Sequence, residues 1–323
     1  MGFNEIIGHE KQKQMFLSIL KKDRLPHAFL FSGQEGIGKK KTAKVFAKYI
    51  LCEEQRGCGV CRSCIKIERN IHPDVIIIEN EDTMGIEQSR AVGKEVFEYP
   101  YESSKRVIVI DRADAMTREA TNALLKTLEE PPNFNVFFLI TSSERDVPLT
   151  IRSRCAKISF SHLQEKLLQE YFINKAGIGE EQAELLSYIS QGSIGYGLFW
   201  MEKDHLMLRR KIAELVVGKD RSFINATLIS EKIAGSHRDL TMFLSFLLSL
   251  FRDICVIREC SEGISMSMMI NRDMKDLLKI EYVDVKWIET SIRVIKETFA
   301  MLRYNINKLL AIETMLMNIM ERK

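Results

Sequence analysis

Two short stretches of this chain and one isolated arginine carry residue types that do chemistry. The first stretch is Gly33-Gln34-Glu35-Gly36-Ile37-Gly38-Lys39-Lys40, in which Gly33, Gly38 and Lys39 satisfy the G-x4-G-K spacing of a phosphate-binding loop. Glycines in such a loop let backbone N–H groups cradle phosphates, the lysine reaches the β and γ phosphates, and the following helix N-terminus favours negative charge. The next position departs from the pattern. A hydroxyl is needed there to hold Mg²⁺, and Lys40 carries an ammonium that repels a cation. Thr42 stands two residues on, about 200° around a helix, and cannot take its place.

The other half of a phosphate site is a carboxylate at the end of a neighbouring strand. Val107-Ile108-Val109-Ile110 leads into Asp111, the candidate for that role, and the following residue is Arg112 where an acid would polarise the attacking water. Phosphoryl transfer relies on positioned charge. Loss of both the metal-ligand hydroxyl and the acid therefore predicts a nucleotide-binding fold without hydrolysis. The glycines and Lys39 are compatible with bound ATP or ADP and equally with an empty loop.

The second stretch is Cys52-x5-Cys58-x2-Cys61-x2-Cys64, which begins where the helix after the loop should end. Four clustered thiolates suit tetrahedral Zn²⁺, and Gly57 and Gly59 permit the turns that aim sulfurs at one centre. Cys58, Cys61 and Cys64 also copy the C-x2-C-x2-C run of bacterial ferredoxins, but Glu68 and Arg69 stand where a fourth Cys and a Pro belong. Unliganded thiols are the remaining alternative. A closed set of four ligands favours structural zinc with Cys52, Cys58, Cys61 and Cys64 as ligands.

Arg154, in Thr150-Ile151-Arg152-Ser153-Arg154-Cys155, sits between two expected strands. A loop arginine is commonly just solvated. In a chain with a phosphate loop and no working site of its own, it is also a candidate arginine finger for a neighbouring subunit's nucleotide.

These groups need a scaffold. Ala28–Phe31, Val75–Ile78, Val107–Ile110, Val136–Ile140 and Ile158–Phe160 are continuously apolar, as expected of strands buried on both faces of a parallel sheet. Helical spacing over Lys39–Leu51, Ile86–Phe97 and Thr117–Leu128 alternates with them, with Thr117 as an N-cap and Pro131-Pro132 as a stop. The result is a doubly wound α/β core. Past Phe160 the pattern turns helical, over Leu163–Ile189, Leu206–Val217 and from Arg238 onward, with the Gly/Ser segment Ser190–Leu198 as a separator. Apolar stretches such as Leu240–Phe251 fit burial in a helix bundle, because charges flank each one closely.

At 323 residues the length suggests about two domains, possibly a third, and 46% hydrophobic with 28% charged residues excludes a disordered or collagen-like chain. Net charge is only +3, but residues 1–50 hold ten Lys/Arg against four Asp/Glu. That local excess suits phosphate or nucleic acid and equally a solvated lysine face. No uninterrupted apolar run reaches about 18 residues, and Glu5, His9 and Glu10 stand where an export segment would be apolar. The expectation is a cytoplasmic protein, where clustered cysteines read as a metal site before disulfides.

Several strings together resemble the AAA+ clamp-loader subunits of bacterial DNA polymerase III. They are Ile6-Ile7-Gly8-His9, Arg24-Leu25-Pro26-His27-Ala28, the phosphate loop, the four cysteines, His72-Pro73-Asp74, Asn122 through Pro132 (N-A-L-L-K-T-L-E-E-P-P) and Ser153-Arg154-Cys155. Asn305 through Glu313 is similar, less specifically, to the last helix of that family's collar. The resemblance implies a P-loop AAA+ core over 1–160 with a four-cysteine zinc module at 52–64, a small helical lid over 161–205, and an all-α collar over 206–323. It further implies a five-subunit ring with gamma/tau and delta subunits, and contact with the sliding clamp and primed DNA through that complex.

The family contains ATP-hydrolysing gamma/tau subunits and a non-hydrolysing delta-prime class. Lys40 and Arg112 align this chain with the latter, as does Gly195, which stands where active members carry a sensor-2 arginine after Gly-Ser-x. Thr141 falls at the sensor-1 position, and Arg154 would contact ATP held by the adjacent active subunit. Two alternatives remain: an ATP-hydrolysing gamma/tau-type subunit, and a zinc-containing DNA-binding module. Against the second, Glu53, Glu54, Arg56 and Arg62 are of mixed sign and bring no aromatic stacking platform.

Overall fold

Alternate side chains along the central strands point to opposite faces, and both faces here are apolar. The computed structural model describes residues 2–22, 24–79, 96–218, 222–260, 268–279, 284–302, 304 and 306–321. Its sheet has strands β1 (Ala28–Ser32), β2 (Val75–Ile78), β3 (Arg106–Ile110), β4 (Asn135–Thr141) and β5 (Ala156–Ser159) in the order β2-β3-β4-β1-β5, all pairs parallel. Ala28 and Leu30 of β1, with Phe137 and Leu139 of β4, join one core with Ile108, Ile110, Leu124, Leu128 and Ile151. On the other face, Phe29 stacks on Phe138 at 5.1 Å between ring centroids, and Phe16 stacks on Phe46 at 3.6 Å. Period-two alternation thus splits two apolar strands between two cores.

Each expected strand is present, β2 with the expected bounds and the others with one or both ends shifted by a residue or two. The largest shift is at β5, which runs Ala156–Ser159 because Phe29 pairs with Ala156 and Ser32 with Ser159. Among the helices, α1 covers Glu10–Lys21, α2 covers Lys39–Leu51 as expected, and α3 covers Arg62–Glu68. Thr117 caps the helix Arg118–Glu129 by accepting the N–H of Ala120. The helix expected over Ile86–Phe97 lies, apart from its last two residues, outside the described residues. The expected parallel α/β core is present.

The chain divides into two compact units, Met1–Gly177 with Gly192–Gly195, and Ile178–Gln191 with Tyr196–Lys323. Helix Glu165–Asn174, placed by the sequence in a lid, falls in the first unit. The expected separator Ser190–Leu198 is a separator only in its first half. Gln191 (φ 49°) and Gly192 (φ 82°) make a turn, and a helix then runs Ile194–Met201. Its run of apolar side chains outweighs the cost of two internal glycines, about 1 kcal/mol each.

The second unit is helical throughout its described residues. Arg209 lies buried with its guanidinium 4.9 Å from the Phe246 ring and 5.8 Å from the Trp200 ring, bonded to Asp273 and Asn271. Helix His237–Glu259 has the length and composition of a membrane span, a feature missed in the sequence because Arg252 and Asp253 interrupt the apolar run. Leu240, Phe243, Leu247, Leu250 and Phe251 are buried, and the fully buried Asp253 accepts N–H bonds from Ile270 and Asn271. A buried, hydrogen-bonded carboxylate suits a core helix of a bundle.

Candidate nucleotide pocket and metal centre

The phosphate loop leaves the end of β1, and five consecutive carbonyls of it are bonded. Lys39 Nζ donates to Gly33 O (2.5 Å) and Gln34 O (2.7 Å), Ser193 Oγ to Glu35 O (2.8 Å), and Gly195 N to Gly36 O (2.9 Å). The buried His9 places Nε2 3.0 Å from Ile37 O. Burial lowers the Lys39 pKa to about 8 despite the opposing pull of Asp111, Glu35 and Asp114. Desolvation disfavours its charged form, and the loop carbonyls hold the proton in place.

Gly195, which the sequence resemblance sets at the sensor-2 position, is in backbone contact with the loop. A Cβ added to it would lie 2.6 Å from Gly36 Cα, and Gly36 itself has φ +72°. Only glycine allows both the approach and the backbone angle. A side chain there, arginine included, would collide with the loop backbone.

Asp111 follows β3, and its Oδ1 accepts the N–H of Arg112, a residue in the left-handed region at φ 53°, ψ 56°. Lys40 extends from the first turn of α2 to place Nζ 2.6 Å from Glu79 Oε1 and 3.7 Å from Asp111 Oδ2. An ammonium thus lies beside the carboxylate that would serve a magnesium. Glu79 was not singled out from the sequence. The signal was available, since it follows β2 directly as Asp111 follows β3. Thr141 ends β4 opposite Ser32, buried, and its hydroxyl donates to Ser143 O and accepts from Ser143 N. Its hydrogen bonds close its own turn.

All four sulfurs of Cys52, Cys58, Cys61 and Cys64 lie within 4.8 Å of one another, Cys52 and Cys64 being buried. A tetrahedral zinc with bonds of about 2.3 Å needs sulfurs about 3.8 Å apart. Three backbone N–H groups point at the sulfurs: Cys58 N to Cys52, Cys61 N to Cys58 and Cys64 N to Cys61, at 3.3–3.5 Å. Such bonds steady thiolates, and the set is able to hold a metal ion. Lys48 of α2, almost fully buried, joins the module to the loop helix by pairing with Glu68 of α3 (2.5 Å) and with Glu5 (3.0 Å).

Two further motifs are held by buried groups. Asp74, fully buried, accepts N–H bonds from Tyr101, Glu102 and Ser103 at 2.6–2.9 Å, which anchors the segment leading into β3. In Ser153-Arg154-Cys155, the serine hydroxyl donates to Thr150 O, and burial pushes the Cys155 thiol up to about 12 where it packs on the core. Arg154 is one-third exposed and reaches Thr150 O and Glu129.

Residues 8–164 match the family model described as DNA polymerase III, delta subunit. They belong to the clamp-loader subunit family of DNA polymerase III. Within that family, the chain is 36% identical over 178 residues to the DNA polymerase III subunit delta' of Bacillus subtilis, covering 54% of each protein. It is 31% identical over 208 residues to the gamma/tau subunit of Mycoplasma pneumoniae, covering 62% of this chain and 30% of that one. It spans between about a third and just over a half of the length of the curated relatives it matches. The crystal structure of a DNA polymerase III gamma subunit-related protein from Thermotoga maritima superposes with a TM-score of 0.50 at 18% identity, covering 96% of this chain and 98% of that one. That likeness concerns the fold alone.

Proposed function

We propose that this clamp-loader family member is a delta-prime-type subunit, one that braces a DNA polymerase III clamp loader without hydrolysing ATP itself. The observation that carries the reading is the Lys40 ammonium set between Glu79 and Asp111. With a cation already paired to the carboxylate, Mg²⁺ is repelled, and Arg112 supplies no base for water. Gly33, Gly38, Lys39, Asp111 and Thr141 are the remnant of a nucleotide site that takes ATP or ADP at most without turnover.

Arg154 is the group that works. On this reading it projects into the ATP site of an adjacent gamma/tau-type subunit as an arginine finger, within a pentameric ring that also contains delta. The sliding clamp and primed DNA are met through that ring, in the cytoplasm. The helical lid and collar parts, over 161–205 and 206–323, would carry assembly. Zn²⁺ on the four cysteines would be structural, cross-linking the segment between α2 and α3, since four protein ligands leave no vacant position for catalysis.

The test is a loader reconstituted from gamma/tau, delta and this chain. Arg154→Ala should abolish most clamp-stimulated, DNA-stimulated ATP turnover while the ring still assembles. Unimpaired turnover rejects the trans role. In the isolated chain, ATP hydrolysis that disappears with Lys39→Ala supports the gamma/tau-type alternative instead.

A further inference from the structure

Arg154 is gripped at both terminal nitrogens. Nη1 donates to Thr150 O at 2.8 Å, and Nη2 donates to Glu129 Oε1 at 2.6 Å. The first partner is rigid, because the Thr150 carbonyl belongs to the short helix Leu149–Arg152 and also receives the Ser153 hydroxyl. The second partner is the last residue of helix Arg118–Glu129, whose inner face (Ala120, Leu124, Leu128) is buried in the same core as Ile151.

Local preferences do not explain a carboxylate at that place. A helix C-terminus disfavours negative charge, and Glu130 follows immediately with a second one. Arg154 offsets the charge on Glu129. Two of the five guanidinium N–H groups are used in these bonds, and the side chain stays one-third exposed. Three N–H groups are left over on a guanidinium whose two terminal nitrogens are both tied.

We propose that Glu129 is a positioning residue for Arg154, setting its guanidinium in advance at the angle from which it meets a phosphate held by the neighbouring subunit. This inference rests on the trans role of Arg154 proposed above. Orientation before docking removes rotamer disorder from the step in which the arginine engages. It acts on the transition state rather than on nucleotide binding, so it appears in kcat with KM for ATP nearly constant.

The experiment uses the reconstituted loader with primed DNA and clamp. Glu129→Ala should lower kcat by about 10-fold, against about 1000-fold for Arg154→Ala, with KM for ATP within about twofold in both. Glu129→Gln keeps an acceptor oxygen and should recover more than half of the loss. In an Arg154→Ala loader, Glu129→Ala should have no further effect. Thermal unfolding and ring assembly of each variant serve as the folding control. If Arg154→Ala is damaging but Glu129→Ala leaves kcat unchanged or raises it, the positioning role falls and the trans role stands. If Glu129→Ala is equally damaging in the presence and absence of Arg154, its role is structural and the proposal also falls. If Arg154→Ala is harmless, the underlying reading falls with it.

Discussion

Lys40 and Asp111 meet across the phosphate loop, Nζ 3.7 Å from Oδ2, with Glu79 closing the pair from the adjoining strand end at 2.6 Å. The lysine replaces a metal-ligand hydroxyl, and the fold turns that replacement into an ion pair with the very carboxylate a metal would need. The charge at position 40 is therefore part of a three-residue cluster.

Replacing the ammonium by a hydroxyl should restore a metal response. For Lys40→Thr, a fluorescent ATP analogue should bind at least about 10-fold tighter in Mg²⁺ than in EDTA, whereas the unmodified protein should show no gain with Mg²⁺. The pair is partly exposed, so unfolding free energy should change by no more than about 1 kcal/mol. An equal magnesium response in both proteins would show that Lys40 does not govern metal binding.

The Gly36–Gly195 contact should not tolerate a side chain. Gly195→Ala places a methyl 2.6 Å from Gly36 Cα, and should cost about 1–3 kcal/mol in urea unfolding. Amide exchange over residues 33–38 should quicken at the same time. Ser193→Ala, which removes the bond to Glu35 O, should cost about 1 kcal/mol. Full stability in the Gly195 variant would show that the loop and this segment do not bear on one another.

For the cysteine module the expected content is a single zinc per chain, read by elemental analysis. Cys61→Ser should reduce that content and lower the unfolding temperature, and a strong chelator should lower it in the parent protein but little in the variant. Iron with acid-labile sulfide in the purified protein would replace zinc by a cluster.

Lys39 makes the pH dependence testable. Burial lowers its pKa from 10.5 to about 8 in the folded state, so between those values the unfolded chain binds the extra proton. Stability attributable to this group therefore rises with pH across that window, and below it the buried charge is a cost. Relative to Lys39→Met, the parent should gain on the order of 3 kcal/mol between pH 8 and pH 10.5, measured by urea titration at each pH. A flat difference would mean that the ammonium is well solvated when folded.

Much of the scaffold was legible because it depends on local pattern. Continuous apolar runs marked all five strands, and the boundaries of α2 and the Thr117 cap followed from side-chain chemistry within a few residues. The helix Ile194–Met201 was missed because glycines in Gly192-Ser193-Ile194-Gly195-Tyr196-Gly197 signal a break. At Gly195 the glycine instead serves a close approach to a residue about 160 positions away, and no local signal carries that.

By itself, the sequence determined the functional inventory: a phosphate loop with ammonium in place of hydroxyl, a carboxylate followed by arginine, four thiols at ligand spacing, and a lone Ser-Arg-Cys. Residue identity and short-range spacing suffice for these, because charge, donor capacity and helical period are properties of a few neighbouring residues. Tertiary structure alone decided the pairings, Lys40 with Glu79 and Asp111, Gly195 on Gly36, Lys48 with Glu5 and Glu68, and Arg154 with Glu129. Each joins segments brought together by strand order and helix packing, and the favourable partner of a charge is set by distance in space, which a linear pattern does not encode.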